Sequence, residues 1–267
     1  MQKNLSPVEA REAVHLLILR ELVKLKNSDA VVLKGGVNLR VFFGSVRYSQ
    51  DMDLDGAPEA ASAIRGALNG IFGDRAFLRE AQRIGIRGLD PGEGPNKDTE
   101  TTFRYKFGVI LPGDIRHPTK VEVSYRERYA GDVSLTETPP AEFFATYGLA
   151  PVPVHHYGRH AAVRQKIDAL GGRREVQARD VFDLHALTGG EMDEALLSFL
   201  AAGLSPARLE EAYNRALSIT FKEYEGQVLE FLAEDARARY GAEDAWDELR
   251  LEAAALTGAA LRRKGAS

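Results

Sequence analysis

The sequence predicts an α/β protein of α+β organisation, in which an N-terminal α/β domain precedes a C-terminal helical domain. Residues 102–126 alternate apolar and polar side chains around a Pro-Gly-Asp turn, which predicts a β-hairpin. From about Pro139 onward, apolar residues recur at helical spacing. The predicted linker is Pro151-Val152-Pro153, so we expect the domains to comprise residues 1–150 and 151–267.

Composition is typical of a water-soluble protein. The 267 residues are 44% hydrophobic and 28% charged, and they contain no apolar run of about 18 residues. The charged N-terminus lacks the apolar core of a signal peptide, so we expect a cytoplasmic protein with no membrane partner. The absence of cysteine excludes disulfides, thiolate catalysis and cysteine-based zinc sites.

The net charge of −4 restricts how the protein binds nucleic acid. It results from 35 Lys and Arg against 39 Asp and Glu, whereas proteins that coat nucleic acid are usually basic. Any RNA-binding surface would therefore have to be a local patch of basic residues. The net negative charge also suits a carboxylate cluster that is neutralised by metal ions.

The N-terminal domain begins with alternating helices and strands. Ser6 to Glu9 has the pattern of a capped helix start with proline at the first helical position. Residues 30–33 predict a short strand before a glycine turn, 37–43 a helix, and 51–54 a half-buried strand.

The middle of the chain is predicted to hold one more helix and a long loop before the hairpin. Residues 58–72 read as a helix, and 88–101 as a loop rich in Gly, Pro and charge. The hairpin places Val121, Val123 and Tyr125 on one face of its second strand. The helices predicted after it lie near residues 140–147, 159–170, 176–188, 191–202, 205–218, 221–239 and 242–263.

Ser49, Asp51, Asp53 and Asp55 alternate along the predicted strand 51–54 and its flanks. Because residues i and i+2 of a strand point the same way, Asp51 and Asp53 would present two carboxylates side by side. Such carboxylates repel each other unless a cation lies between them. Mg²⁺ prefers oxygen ligands and commonly bridges carboxylates to substrate phosphates.

Gly35 and Gly36 lie between a predicted strand and a predicted helix. Glycines at such a position allow backbone N–H groups to approach a phosphate closely. An isolated D-x-D is usually a solvated strand, and an isolated Gly-Gly is usually a turn. Their occurrence in this order is more specific, because each supplies a different need of one triphosphate–metal site.

These motifs resemble those of a known family. Residues 33–55, LKGGVNLRVFFGSVRYSQDMDLD, are similar to the signature segment of the AbiEii-like nucleotidyltransferase toxins. Lys120 to Ser124 resembles that family's lysine–acid strand, Lys166 its helical lysine, and Arg179 to Leu184 its R-D-x-x-D-L helix. The resemblance implies a polymerase-β-like nucleotidyltransferase domain with a mixed sheet, followed by a helical bundle.

The resemblance also implies roles for individual residues. Asp51 and Asp53 would bind Mg²⁺ or Mn²⁺, and Gly35, Gly36 and Ser49 would bind the nucleotide. Glu122 would be the third metal ligand, or would instead pair with Lys120 or Arg104.

Two residues of the helical domain are also implied in the site. Lys166 would contact nucleotide phosphates, with the alternative that it is a solvated lysine beside an apolar stripe. Asp180 would act near Lys166 as orienting group or base, while Arg179 and Asp183 would be structural.

The implied activity is transfer of a nucleoside monophosphate from an NTP to the 3′ end of tRNA, which would block translation. A cognate antitoxin would be the protein partner. A strip of Arg104, Lys106, Lys120 and Arg126 would receive the RNA backbone. The alternatives are a small-molecule (antibiotic) or protein acceptor on the same fold, and an inactive binding partner in a complex.

His155, His156 and His160 form a separate cluster. They are candidates for a metal site, but an ordinary loop near a helix start is the favoured interpretation.

Overall fold

The computed structural model describes residues 4–92, 94–126 and 133–265 and divides the chain into two compact units. The first, which we call the sheet unit, comprises Met1–Phe42, Tyr48–Arg128 and Ser134–Tyr157. The second, the helical unit, comprises Phe43–Arg47, Tyr129–Val133 and Gly158–Ser267.

The boundary after Tyr157 lies beyond the expected one at residue 150, because the segment after the predicted linker forms a strand. The helical unit also takes in the short segment Phe43–Arg47 from the N-terminal part of the chain.

The sheet unit is built on one mixed sheet of eight strands, which confirms the predicted α/β class and mixed sheet. The strand order is β3-β5-β6-β2-β1-β8-β7, and β4 also pairs with β5. Pairing is parallel between β2 and β6 and between β1 and β8, and antiparallel elsewhere. The strands are β1 (Val31–Lys34), β2 (Met52–Gly56), β3 (Gly88–Asp90), β4 (Pro95–Asp98), β5 (Thr102–Ile110), β6 (Arg116–Ser124), β7 (Ser134–Glu137) and β8 (Val154–Tyr157).

Helices cover the apolar side of this sheet. The first begins as predicted, because the Ser6 hydroxyl accepts from the Glu9 amide and the Glu9 carboxylate accepts from the Ser6 amide. Leu16 and Leu17 of this helix are buried in one core cluster with Phe103 and Phe107 of the sheet. The helices of this unit are α1 (Pro7–Leu22), α2 (Gly35–Phe42), α3 (Ala61–Ile71), α4 (Arg75–Arg83) and α5 (Ala141–Ala145), with short 3₁₀ turns at Ser28–Ala30 and Pro58–Ala60.

Two expectations for this unit are wrong, and one helix was missed. The predicted loop 88–101 contains β3 and β4, which gain their backbone partners from β5. The part of the chain after Pro139 is not wholly helical, because β8 pairs with β1 and β7. Helix α4 was not predicted at all.

The helical unit confirms most predicted helices. They are α6 (Arg159–Gly172), α7 (Ala178–Thr188), α8 (Glu194–Gly203), α9 (Pro206–Ser218), α10 (Phe221–Gln227), α11 (Glu234–Tyr240) and α12 (Glu243–Gly265). The single helix predicted over 221–239 is instead α10 and α11, separated by a 3₁₀ turn at Leu229–Phe231. Trp246 is buried in α12 and stacks on Tyr224, with ring centroids 4.4 Å apart.

We predict that Gly56→Ala destabilises the protein because the space for a side chain is already filled. A Cβ at Gly56 would lie 2.6 Å from a ring carbon of Tyr125 and 2.8 Å from a methyl of Val123. The expected loss is about 1–3 kcal/mol, seen as a lower urea midpoint. The matched control is Gly66→Ala on α3, where a Cβ meets no atom within 4 Å; a similar loss in both variants would contradict the prediction.

Candidate active site

A row of charged side chains crosses four strands on the face of the sheet opposite the core. The register pairs Lys34 with Asp53, Asp53 with Glu122, and Glu122 with Arg104. Paired residues project from the same side of a sheet. The row therefore places two adjacent carboxylates between two cations.

The carboxylate of Asp53 packs directly against Gly35. Gly35 has φ of +66°, and a Cβ there would lie 2.9 Å from Asp53 Oδ2. Glycine is required at this position both for its left-handed backbone and for the close approach of the carboxylate. The Gly-Gly turn and the D-x-D strand are thus in direct contact, whereas the sequence showed only their order.

Burial raises the pKa of Asp53 above the ordinary value of an aspartate, and the charges of Asp51 and Glu122 raise it further. Lys34 and Lys120 oppose this by favouring the ionised form. Asp53 is therefore a partly desolvated carboxylate in an anionic cluster, a setting that favours binding of a cation.

Asp51 lies just before β2 and pairs with a cation of β6. Its Oδ2 is 3.1 Å from Lys120 Nζ. The Ser49 hydroxyl donates to the Asp51 carbonyl oxygen at 2.7 Å. Ser49, which was expected to bind nucleotide, therefore holds the backbone of the residue that carries the first carboxylate.

Glu122 pairs with Arg104, one of its two expected partners. Arg104 Nε donates to Glu122 Oε2 at 2.5 Å. Burial alone would raise the pKa of Glu122, but the hydrogen bond from Arg104, together with the charges of Arg104, Lys120 and Lys34, lowers it. Its carboxylate already has a strong partner, which weakens the case for Glu122 as a metal ligand.

Asp55, the last of the alternating aspartates, belongs to a different contact. It is buried, accepts a hydrogen bond from Lys34 Nζ, and accepts another from the Tyr157 hydroxyl at 2.8 Å. Sequence reasoning missed Lys34 and Tyr157. Lys34 carried a signal, since it directly precedes Gly35, but Tyr157 comes from a strand that was not predicted.

The donor set fits a hard divalent cation in its chemistry. Asp51 and Asp53 supply carboxylate oxygens, the ligand type that Mg²⁺ prefers. Across the described ranges, no group of three or more His, Asp and Glu side chains is arranged to hold a metal ion. Asp51 and Asp53 are the residues of this row that could hold such an ion.

The helical unit brings Lys166, Asp180 and Asp183 together in a buried cluster. Lys166 Nζ is 3.1 Å from Asp180 Oδ1 and 2.5 Å from Asp183 Oδ2. Lys166 is only 8% exposed, and both aspartates are fully buried. The alternative of a solvated lysine is therefore wrong.

Arginines complete this cluster on both sides. Arg47 donates to Asp183 through Nε at 2.9 Å and through a terminal nitrogen at 2.8 Å. Burial would raise the pKa of Asp183, but Arg47 and Lys166 together lower it. Asp180 Oδ2 is buried without a hydrogen bond, although Arg173 Nε lies 3.4 Å away. Asp183 is thus hydrogen-bonded by its cationic neighbours, whereas Asp180 Oδ2 has, among the described residues, only the longer ion pair with Arg173.

The histidines do not form a site together. His155 and His156 lie on β8 of the sheet unit, where His156 is buried and contacts the Asn38 side chain at 2.9 Å and Glu137 at 3.0 Å. His160 lies in the helical unit beside Phe199. The expected loop is a strand at His155 and His156, whereas His160 lies near a helix start as expected, at the second residue of α6.

Comparison with known proteins identifies a family and a fold. A family model described as nucleotidyl transferase AbiEii toxin, type IV TA system, matches residues 17–250. The structure is similar to MenT4, a nucleotidyltransferase toxin from Mycobacterium tuberculosis H37Rv, with 18% identity, a TM-score of 0.57, and 97% of this chain and 93% of that chain covered.

A second similar structure is JHP933 from Helicobacter pylori. It has 15% identity and a TM-score of 0.51, and the alignment covers 99% of this chain and 96% of that one. At these identities the two structures show the fold alone. No curated protein sequence matches the chain, and none of the described helices is long and apolar enough to cross a membrane.

We predict that Asp183→Asn is strongly destabilising because it leaves the buried charges of Arg47 and Lys166 poorly compensated. Breaking a buried pair in this way costs about 3–5 kcal/mol. Since the pKa of Asp183 is lowered, its carboxylate stabilises the fold at neutral pH and this contribution is lost as the pH falls through that pKa. Melting temperatures of the variant and wild type should therefore converge in acid.

The control is Asp168→Asn, which removes the carboxylate that lies 3.1 Å from Arg208 Nε in a partly exposed pair. Such pairs contribute about 0–1 kcal/mol. If both variants lost the same free energy of unfolding at neutral pH, the buried cluster would stabilise the protein no more than an exposed pair does, and the prediction would be wrong.

Proposed function

The chain belongs to the AbiEii family of nucleotidyl transferase toxins of type IV toxin–antitoxin systems, and from this premise we propose that it transfers a nucleoside monophosphate from an NTP to the 3′ end of tRNA. The family establishes the class of reaction. The acceptor, the metal requirement and the block of translation are our proposal.

The observation that carries the proposal is the packing of the Asp53 carboxylate against Gly35 with Asp51 nearby in sequence. The carboxylate lies so close to the Gly35 backbone that even a Cβ at Gly35 would approach it to 2.9 Å. Its raised pKa reflects burial among other anions. This is the environment in which a divalent cation is bound and in which a small phosphate group can approach backbone.

A divalent cation held by Asp51 and Asp53 would neutralise phosphate charge and polarise the reacting phosphorus centre. The residues of the chain provide the positioning. Gly35 and Gly36 offer backbone N–H groups at the start of α2, and Lys34 and Lys120 place positive charge beside the carboxylates. These groups hold the triphosphate so that an acceptor hydroxyl attacks the α-phosphorus in line, with pyrophosphate leaving.

For the helical unit, we propose that Lys166 contacts phosphate and that Asp180 orients it, as the family resemblance implies. The contact between Lys166 and Asp180 at 3.1 Å supports this pairing of roles. The buried oxygen of Asp180 that lacks a hydrogen bond supports a function beyond packing, because such groups are rare in folded proteins.

An RNA acceptor requires accessible cations near the sheet. Lys106 and Arg126 are exposed, whereas Arg104 and Lys120 of the expected strip are paired with Glu122 and Asp51. We therefore propose that Lys106 and Arg126 receive the RNA backbone. Binding through phosphate contacts of this kind weakens as salt rises.

We predict that Asp51→Ala and Asp53→Asn each reduce transfer by at least about 100-fold while the protein stays folded. Each variant removes a charge from the proposed cation site but leaves the apolar face of β2 intact. The measurement is incorporation of label from each α-labelled NTP into total tRNA with Mg²⁺, with circular dichroism as the test of folding. Removal of Mg²⁺ by chelation should abolish the wild-type signal.

The control is Asp98→Asn, which changes a carboxylate that is 52% exposed on β4 of the same unit. It should keep wild-type activity. Full activity of Asp51→Ala would refute the site. Label in a small molecule or a protein, with none in RNA, would mean that the acceptor is not tRNA.

We also predict that expression of the chain alone arrests bacterial growth and that the arrest requires Asp51 and Lys166. An enzyme that modifies tRNA ends acts at low copy number because each molecule turns over many substrates. Growth curves at matched protein levels should show relief by Asp51→Ala and Lys166→Ala, but not by Lys222→Ala, a change at an exposed lysine of α10. Arrest that persists with Asp51→Ala would mean that toxicity has another origin.

A further inference from the structure

Asp51 lies in a short irregular segment that a hydrogen-bond chain from α1 holds in place. His15 of α1 and Thr119 of β6 are both buried, and His15 Nε2 lies 2.8 Å from Thr119 Oγ1. The Thr119 hydroxyl in turn donates to the backbone carbonyl of Gln50 at 2.8 Å. The hydrogen-bond chain therefore ends at Gln50, the residue directly before Asp51.

The direction of each hydrogen bond follows from the available protons. A carbonyl only accepts, so the single hydroxyl proton of Thr119 is used on Gln50. His15 must therefore donate its Nε2–H to the hydroxyl oxygen. This fixes the tautomer and leaves His15 Nδ1 unprotonated, consistent with its burial without a hydrogen-bond partner.

His15 stays neutral in this arrangement. Burial, assisted by the charge of Arg11, lowers the pKa of His15 to about 3. The hydrogen-bond chain thus keeps one proton arrangement around neutral pH.

This hydrogen-bond chain from His15 through Thr119 to Gln50, which we call the tether, continues the register of the sheet beyond its last paired residue. Met52 pairs with Val121 in the parallel β2–β6 ladder, so Gln50 and Thr119 would be the next matched pair on the same face. The ladder stops at Met52, and the Thr119 side chain then bonds the Gln50 backbone directly. With the Ser49 hydroxyl on the Asp51 carbonyl, two successive carbonyls before β2 are held by hydroxyl groups.

We propose that His15 and Thr119 are positioning residues, which fix the Gln50 carbonyl and thereby set the place of the Asp51 carboxylate in the active site. Neither residue needs to touch the substrate. The proposal rests on the function proposed above for Asp51, but the geometry of the tether can be tested without it.

The test compares Thr119→Val, Thr119→Ser and Thr257→Val in the full-length protein. Valine keeps the shape of threonine but removes the hydroxyl, whereas serine restores it. Thr257 is a matched control, since it is also fully buried and donates to the carbonyl of Ala253 at 2.9 Å, but it lies in α12 of the helical unit. The readouts are kcat and KM for label transfer from α-labelled NTPs to total tRNA, and the melting temperature.

We expect Thr119→Val to lower kcat by about 10- to 100-fold with little change in KM for the NTP, because the carboxylate is displaced rather than removed. Thr119→Ser should regain most of the wild-type kcat. Thr257→Val should lower the melting temperature but leave kcat unchanged. A wild-type kcat in Thr119→Val, or a serine variant as slow as the valine variant, would overturn the proposal.

Hydrogen exchange gives a readout that is independent of the proposed reaction. Thr119→Val should speed amide exchange in a peptide spanning residues 48–53, and Thr257→Val should not. If the wild type transfers no label, the proposed function fails while this measurement still decides on the tether; unchanged exchange would refute it.

A second pair of variants applies if Thr119→Val does not fold. His15→Gln keeps an N–H donor for the Thr119 hydroxyl and should retain kcat and slow exchange, whereas His15→Met lacks the donor and should lose both. Equal behaviour of these two variants would overturn the proposal.

Discussion

A partly buried carboxylate must be compensated by its neighbours, and in the sheet unit this requirement falls on Asp53. Burial and nearby anions disfavour its charge, while Lys34 and Lys120 favour it. Those lysines come from the two strands that pair with β2. Because β1, β2 and β6 are neighbours in the sheet, their order places Lys34 and Lys120 on either side of Asp53. The apolar core behind the sheet holds the strands in this register.

The helical unit also compensates a buried carboxylate, in a cluster of cations around Asp183. Asp183 is bonded on one side by Arg47 and on the other by Lys166, and the pairing lowers its pKa despite complete burial. Asp180 shares Lys166 but keeps one buried oxygen without a hydrogen bond. Two aspartates three residues apart on one helix thus have different environments, which gives a physical reason to separate a structural role from a functional one.

Much of the fold could be predicted because local patterns determine it: the hairpin alternates, α1 begins with a capping box, and most helices carry clear periodicity. The elements that were missed depend on tertiary partners. β3, β4 and β8 are short, and each depends on a partner strand for its backbone hydrogen bonds. β8 pairs with β1, which is distant in sequence, while β3 and β4 pair with β5, which follows β4 after a short turn. The same limit applies to the site. Asp51 and Asp53 stand out in sequence, but the contact of Asp55 with Tyr157 and the tether from His15 join residues about a hundred positions apart.

The pairing of Arg47 with Asp183 has a consequence for synthesis of the chain. These two residues of one unit are separated by 136 positions, so Arg47 leaves the ribosome long before its partner has been translated. All eight described strands of the sheet unit are translated before α6, the first long helix of the other unit. Until α7 emerges, the segment that leads into β2 lacks the contact between Arg47 and Asp183. The nascent chain would thus hold Asp51 and Asp53 in a sheet whose preceding segment is not yet anchored, and this buried ion pair would form only after most of the protein has been made.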